Sequence, residues 1–135
     1  MPLYLLDTKV LLEVIRNPHG LCAERMQSES AGSLCTSIMV AAELRFGAAK
    51  KGAPQLSARV DQLLDALDIF SLGSGADLHY ATLRCELERR GTPIGANDML
   101  IAAHALSLEA VLVTDNTAEF ARVMGLEVQN WLRPA

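Results

Sequence analysis

The sequence is poor in aromatic residues and in positive charge, and each deficit argues against a class of protein. Only 4% of the 135 residues are aromatic while 50% are hydrophobic, so the core must consist mainly of aliphatic side chains. The net charge of −4 argues against a protein that attracts nucleic acid through a general basic surface. An acidic site can still bind nucleic acid when a divalent cation reverses its local charge, so this class of ligand stays open.

Cysteines and long apolar segments are also scarce. Cys22, Cys35 and Cys85 are widely spaced and form no CxxC motif, which indicates reduced thiols in a cytosolic protein. No segment reaches the ~18 apolar residues that span a membrane. Asp7 and Lys9 interrupt the apolar N-terminus where a signal peptide would need to continue. We therefore expect a cytoplasmic protein without membrane association.

Short apolar segments alternate with amphipathic segments along the whole chain. The apolar segments predict strands at residues 3–6, 34–37, 68–72, 110–114 and 126–130, the last of them at a sheet edge. Strands that alternate with helices predict an α/β fold, with a parallel sheet of four to five strands and helices on both faces. The length predicts a single domain over residues 1–135.

The segments between the strands have helical spacing. They predict helices at residues 8–16, 19–30, 38–50, 54–67, 76–90 and 116–122, and one more that begins near Asp98. In the helix at residues 76–90, we expect Leu78, Ala81, Thr82 and Cys85 to face the core.

Residues 91–105, with the sequence GTPIGANDMLIAAHA, form the most informative segment. Glycine, proline and asparagine in its first half are typical of a turn, and the apolar run that follows predicts a buried helix. Asp98 lies where the turn meets the helix. It could simply cap the helix N-terminus, or it could direct a negative charge into a cleft.

Four other acidic residues fall where they could meet Asp98. Asp7 and Asp115 directly follow predicted strands, and the carboxyl ends of parallel strands share one edge of a sheet. Glu43 lies among apolar residues on the helix after the second strand, and Glu119 lies one helical turn beyond Asp115. Each acid alone has an ordinary explanation as a cap, a turn residue or a surface charge. Together, they predict a cluster at one sheet edge.

A cluster of carboxylates must either take up protons or bind a cation, because the like charges repel. Oxygen ligands of this kind suit Mg²⁺ or Mn²⁺, and such ions can support phosphodiester cleavage. The sequence contains no HExxH, phosphate-loop or GxGxxG motif, so other chemistries have little support. His104 is not on the Asp98 face of its helix, and we expect it to be a packed or surface residue.

At this point, the ordered motifs identify a resemblance. The chain resembles the PIN-domain proteins and is most similar to the VapC ribonuclease toxins of bacterial toxin–antitoxin pairs. The resemblance covers nearly the whole length and rests on YLLDT at residues 4–8, AELRFG at 42–47, GTPIGAND at 91–98 continuing into IAAHA at 101–105, VTDNTAEF at 113–120, and NW at 130–131.

The resemblance implies a metal-dependent endoribonuclease, in which Mg²⁺ or Mn²⁺ is held principally by Asp7 and Asp98. Glu43 and an acid of the last motif complete the set, and the match favours Glu119 by position, with Asp115 as a second contributor. The implied reaction is attack of a metal-activated water on a phosphodiester bond in structured RNA such as tRNA. The family also implies homodimers, and a heteromeric complex with a cognate VapB-like antitoxin that covers the acidic cleft.

Lys9 departs from the family pattern, which usually has Asn at this position after Asp-Thr. It either turns outward from the first helical turn or partly replaces the metal and weakens activity. A second hypothesis is therefore a catalytically silent PIN module that only binds RNA or the antitoxin. A third, a receiver or phosphatase-like domain that uses Asp7, is disfavoured because such a phosphatase needs a second Asp at position 9.

Overall fold

A parallel sheet lies at the centre of the computed structural model, which describes residues 2–134. Within that range the sheet has five strands, in the spatial order β3-β2-β1-β4-β5, and every neighbouring pair is parallel. The strands are β1 (Tyr4–Leu6), β2 (Leu34–Ser37), β3 (Asp68–Phe70), β4 (Val111–Val113) and β5 (Val128–Gln129). The predicted α/β fold and its parallel sheet are confirmed.

Most of the strands are shorter than the apolar segments that predicted them. The sheet nevertheless continues as single hydrogen bonds beyond the strand ends. The Val111 N–H donates to the Leu3 carbonyl at 2.7 Å, and the Thr114 N–H donates to the Gln129 carbonyl at 2.9 Å. The Asp7 N–H donates to the Val113 carbonyl at 2.9 Å, so the first residue after β1 is still tied to β4.

Seven α-helices connect the strands within the described residues. They are α1 (Thr8–Arg16), α2 (Leu21–Ser28), α3 (Ile38–Lys51), α4 (Pro54–Asp65), α5 (Ala76–Arg90), α6 (Ala96–Ser107) and α7 (Thr117–Phe120). The second helix begins later than expected because the Gly20 N–H closes a turn onto the Asn17 carbonyl at 2.9 Å. The last helix ends early because tighter bonds follow it, such as that from the Val123 N–H to the Phe120 carbonyl.

The strand order places the helices on two faces. The chain moves outward from β1 through β2 to β3 and then returns to β4, so right-handed crossovers put α1 to α4 on one face and α5 and α6 on the other. The packing agrees, since α3 lies against α4 while α5 lies against α6. The core between these layers is mainly aliphatic, as the composition predicted.

The predicted inward face of α5 is wrong. Leu78 is 72% exposed, and the other three residues of that stripe, Ala81, Thr82 and Cys85, are also exposed. The helix instead buries Ala76, Leu83 and Leu87. Both stripes have helical spacing, and packing against α6 selects the one with two leucines because it buries more apolar area.

No helix in residues 2–134 is long and apolar enough to cross a membrane.

Candidate active site

The candidate active site lies at the carboxyl ends of β1 and β4, which are neighbours at the centre of the sheet. After β1 the chain continues into helices on one face, and α5 and α6, which precede β4, lie on the other. A crevice opens outside the strands where the chain direction reverses in this way, and ligands of parallel α/β folds bind there.

Asp7 is the most enclosed of the predicted acids, with 9% of the residue exposed. It is the N-cap of α1, and its Oδ1 accepts the Thr8 N–H at 2.8 Å. Its Oδ2 accepts the Thr114 hydroxyl at 2.8 Å, which links β1 to β4. Burial raises the pKa of Asp7 above its usual value, although these two hydrogen bonds act in the opposite direction. Asp7 therefore caps α1, and its negative charge is destabilised by burial.

Glu43 reaches the same crevice from α3. Its Oε2 accepts the Thr8 hydroxyl at 3.1 Å, and its Oε1 accepts the Asn97 side-chain amide at a longer 3.4 Å. The side chain is half-buried and turns toward α1 and α6. Thr8 thus hydrogen-bonds with the carboxylates of both Asp7 and Glu43.

Asp98 and Glu119 approach each other from α6 and α7. Burial and then the Glu119 carboxylate raise the pKa of Asp98 to about 7, and the charges of Asp7 and Glu43 add to the effect. Burial alone would also raise the pKa of Glu119, but hydrogen bonds from the Gly95 N–H at 3.0 Å and from the Asn116 side chain lower it below its usual value. The pair can therefore share a proton, with the charge held mainly on Glu119.

Asp115 follows β4 but faces another way. Its Oδ1 accepts the Asn130 side-chain amide at 3.1 Å. Burial, with the nearby carboxylates of Glu13 and Asp115, raises the pKa of the Cys22 thiol to about 11, so Asp115 lies toward α2. The carboxylates that act on Asp98 are Glu119, Asp7 and Glu43. The structure therefore brings four of the five predicted acids together and directs Asp115 away from them.

Comparison with known proteins assigns the chain to a family. The sequence model of the PIN domain matches residues 4–126. The chain belongs to the PIN domain family. It is 34% identical over 129 residues to the tRNA(fMet)-specific endonuclease VapC of Shigella flexneri, covering 95% of this chain and 97% of the relative. It is 35% identical over 130 residues to ribonuclease VapC2 of Haemophilus influenzae, covering 96% and 98%.

Solved structures give the same result for the fold. The structure of DNA-bound VapBC from Salmonella typhimurium contains a chain with a TM-score of 0.90 and 34% identity, covering 97% of this chain and 99% of that one. A chain of VapBC2 from Rickettsia felis, bound to a DNA fragment from their promoter, has a TM-score of 0.88 and 34% identity, covering 96% and 98%. The chain is thus a PIN domain of the VapC ribonuclease group.

Lys9, the departure from the usual pattern, lies exposed in the first turn of α1. Its charge lowers the pKa of Asp7, but it is the smallest of the effects acting there. Among the described residues, its ammonium group forms no ion pair with a carboxylate within 4.0 Å. Lys9 therefore lies beside this PIN-domain site without being bound into it.

Sequence reasoning missed the polar residues that orient the acids. Thr8, Thr114, Asn97 and Asn116 each donate a hydrogen bond to an acid of the cluster. The signal was present in the sequence, because each of the four directly precedes or follows an aspartate. An Asp-Thr pair next to a strand end and an Asn-Asp pair at the start of a helix would have identified them.

The donor chemistry of the cluster fits a hard divalent cation. Four carboxylates supply only oxygen atoms, which suits Mg²⁺ or Mn²⁺, and their repulsion on Asp98 is the electrostatic cost that a cation would remove. Across residues 2–134, however, no three His, Cys, Asp or Glu side chains already have the close arrangement of a complete metal site. Asp7, Glu43 and Glu119 are instead turned toward their hydrogen-bond donors, so binding would require side-chain rotation.

His104 is a buried residue of α6, as expected for a packing role. Its Nδ1 lies 2.8 Å from the Ser37 hydroxyl, and Ser37 also accepts the Met39 N–H at 3.1 Å as the N-cap of α3. Burial lowers the pKa of His104, so a neutral ring is favoured. The residue joins α6 to the end of β2 and does not reach the acidic cluster.

Proposed function

We propose that this protein is a metal-dependent endoribonuclease that acts as the toxin of a toxin–antitoxin pair. The observation that carries the proposal is the convergence of Asp7, Glu43, Asp98 and Glu119 at the carboxyl ends of β1 and β4. Burial, together with repulsion from the other three carboxylates, raises the pKa of Asp98 to about 7, which favours cation binding. The membership in the VapC group of PIN domains supports the same reaction class.

The proposal assigns a role to each side chain. Asp7 and Asp98 would be the principal ligands of an Mg²⁺ or Mn²⁺ ion, with Glu43 and Glu119 as further ligands. Such an ion would supply positive charge next to the phosphodiester and lower the pKa of a water molecule. Thr8 and Thr114 keep both Asp7 oxygens oriented. When no cation is present, the Asp98 carboxyl is about half protonated at neutral pH, because its pKa is about 7.

The substrate follows from the relatives. Two of them, from Shigella flexneri and Salmonella typhimurium, are named tRNA(fMet)-specific endonucleases. We therefore propose RNA as the substrate class and tRNA as the first RNA to test. The net charge of −4 makes this binding depend on the cation, because the surface itself does not attract phosphates strongly.

An antitoxin segment would have a groove available next to the site. An apolar cavity of about 150 Å³ lies between α1, α3 and α4, and its lining begins at Thr8 and Glu43 beside the cluster. It continues past Leu12 and Leu56. A partner that fills this groove would reach the carboxylates, which supports neutralisation by a VapB-like antitoxin. A homodimer of this chain also stays a prediction, and light scattering of the purified protein tests it.

The test is cleavage of total RNA by the purified full-length protein with Mn²⁺, with and without a chelator. We expect chelator-sensitive cleavage that falls at least about a hundredfold in Asp98→Asn, since the variant loses a principal ligand of the cation that would stabilise the developing negative charge. The matched control is Asp65→Asn, the same chemical change at an exposed position at the end of α4. Cleavage that survives both the chelator and Asp98→Asn would contradict the proposal.

The silent module, which binds RNA or the antitoxin without cleavage, has Lys9 as its motivating residue. Its exposure and lack of an ion pair within residues 2–134 favour the active enzyme. Lys9→Asn decides between them. We expect cleavage within about threefold of the wild type, because an exposed charge exerts a small effect. Cleavage that appears only in Lys9→Asn, on an otherwise inactive wild type, would establish the silent module.

A further inference from the structure

Two adjacent segments bracket the Asp98–Glu119 pair. The first is the loop of residues 92–95, between α5 and α6. The second is the segment of residues 119–122, which contains the end of α7. The Gly95 N–H donates to the Glu119 carboxylate at 3.0 Å. The Arg122 guanidinium donates to the Pro93 carbonyl at 3.1 Å. The two segments therefore exchange hydrogen bonds in both directions.

The loop has anchors of its own on the other side. The Thr92 N–H donates to the Leu87 carbonyl at 3.0 Å, which ties the loop to the last turn of α5. The Ile94 side chain is buried in the core. Pro93 and Gly95 are exposed. Their carbonyl and amide are the groups that meet residues 119–122.

Arg122 is itself held in place by its backbone. Its N–H donates to the Glu119 carbonyl at 3.2 Å, and its carbonyl accepts the Arg90 guanidinium from the end of α5. Arg90 is in turn paired with Glu86 at 3.4 Å. The backbone from which the Arg122 side chain extends is thus fixed to the same helix that leads into the loop.

The position of the loop decides the geometry of the acids. Gly95 precedes α6, and a Cβ atom on it would lie 3.4 Å from the Asp98 Oδ2 and 3.9 Å from the Glu119 Oε1. The backbone of Gly95 therefore borders both carboxylates of the pair. A shift of the loop by a fraction of an ångström would change the distance from α6 to Glu119.

We infer that Arg122 is a positioning residue for the proposed nuclease, which holds the 92–95 loop against residues 119–122 and thereby sets the separation of Asp98 and Glu119. The inference rests on the proposed function for its effect on cleavage, but the contact itself is independent of that function. Arg122 binds the Pro93 carbonyl and lies near enough to Glu119 for its charge to lower the pKa of that carboxyl, but it does not touch the reacting atoms. A basic side chain here could instead contact RNA phosphates, and the experiment separates the two roles.

The experiment measures amide exchange and cleavage on the same variants of the full-length protein. The variants are Arg122→Met, which keeps an apolar stem, and Arg122→Lys, which keeps one donor for the Pro93 carbonyl. Arg59→Met is the control, because Arg59 is an exposed arginine on α4. Exchange of the Gly95 amide proton is followed by NMR of ¹⁵N-labelled protein without metal or RNA.

We expect Arg122→Met to speed Gly95 exchange several-fold and to lower kcat for total-RNA cleavage about tenfold with KM nearly unchanged, a smaller loss than the ~100-fold of a 1 Å misplacement. Arg122→Lys should restore most of both values, and Arg59→Met should change neither. Unchanged Gly95 exchange in Arg122→Met overturns the inference, and a rise in KM alone with unchanged exchange assigns Arg122 to RNA binding. If the wild type cleaves no RNA, the proposed function fails while Gly95 exchange still decides the inference.

Discussion

The two sides of the acidic cluster are built differently. Asp7 lies at the end of a central strand, is nearly enclosed, and has both carboxylate oxygens bound by groups of α1 and β4. Asp98 and Glu119 lie on α6 and the short α7 and are half-exposed, and Glu119 is held by a loop amide and a surface asparagine. The Asp7 side is therefore a fixed part of the sheet, whereas the Asp98–Glu119 side can adjust. When a cation binds, it must displace the proton of the Asp98–Glu119 pair. Asp7 can then keep its position while the Asp98 and Glu119 side chains rotate toward the cation.

The largest effect that tests this comparison is expected for the acid of the last motif. Glu119→Gln should lower RNA cleavage at least about a hundredfold, because it removes a proposed ligand of the cation that would stabilise the developing negative charge. Glu119 is also the carboxylate whose charge affects Asp98 most. Asp115→Asn should stay within about threefold of the wild type, because its partner is Asn130. Initial cleavage rates on total RNA with Mn²⁺ measure both. The opposite ranking would move the fourth ligand to Asp115.

A difference in stability should separate the two sides next. Thr114→Val removes a buried hydroxyl from the Asp7 carboxylate and should lower the free energy of unfolding by about 2 kcal/mol, the usual cost of losing a bond to a charged group. Asn116→Ala removes an exposed amide from Glu119 and should change it by less than about 0.5 kcal/mol. Urea unfolding of the metal-free proteins measures both values. Equal losses would mean that the two sides are equally rigid.

A methyl group added beside Asp98 should lower activity without lowering the stability of the fold. Gly95 has φ of −59°, which any residue can adopt, so Gly95→Ala imposes no backbone strain. Its methyl group would instead lie in van der Waals contact with the Asp98 carboxylate and leave that side chain less room to rotate. We expect cleavage to fall about five- to tenfold, a fraction of the ~100-fold of a 1 Å misplacement, while the melting temperature stays within about 2 °C. Gly32→Ala is the control, because a Cβ there meets nothing within 4 Å. A similar activity loss in both variants would exclude local contact with Asp98 as the cause.

The smallest expected effect is the pH dependence of metal-free stability. The folded-state pKa of Asp98 is about 7, above its ordinary value of 3.8. The folded protein therefore keeps this proton up to a higher pH than the unfolded chain does. The stabilising contribution of the proton is complete below pH 3.8 and is lost as the pH rises through about 7. The melting temperature of the wild type relative to Asp98→Asn should therefore fall by a few degrees between pH 4 and 8 in the presence of a chelator. Parallel curves for the two proteins would show that Asp98 does not retain the proton.

The sequence predicted the acids but not their orientation. The order of short apolar segments was enough to predict a parallel α/β sheet, because strand and helix periodicities differ. The same order of segments predicted that Asp7 and Asp115 both follow strands, so the two residues were equally good candidates for the cluster. The side chain of Asp115 turns to Asn130, fifteen residues further along, and no local pattern contains that contact.

Helix α5 shows the same limit in the core. Two apolar stripes run along it, and sequence spacing supported Leu78 and Cys85 as well as Leu83 and Leu87. The choice depended on which stripe meets α6, and that contact exists only after the chain has folded.

Residues 91–105 combine both kinds of information. Composition and spacing alone determined a turn, a buried helix and an acid between them, because glycine, proline and apolar periodicity act over a few residues. Only the tertiary structure decided that the Gly95 amide would bind Glu119 and that Arg122 would hold Pro93. Those contacts join residues 24 and 29 positions apart in the chain. They form because the return crossover to β4 brings α7 beside the start of α6.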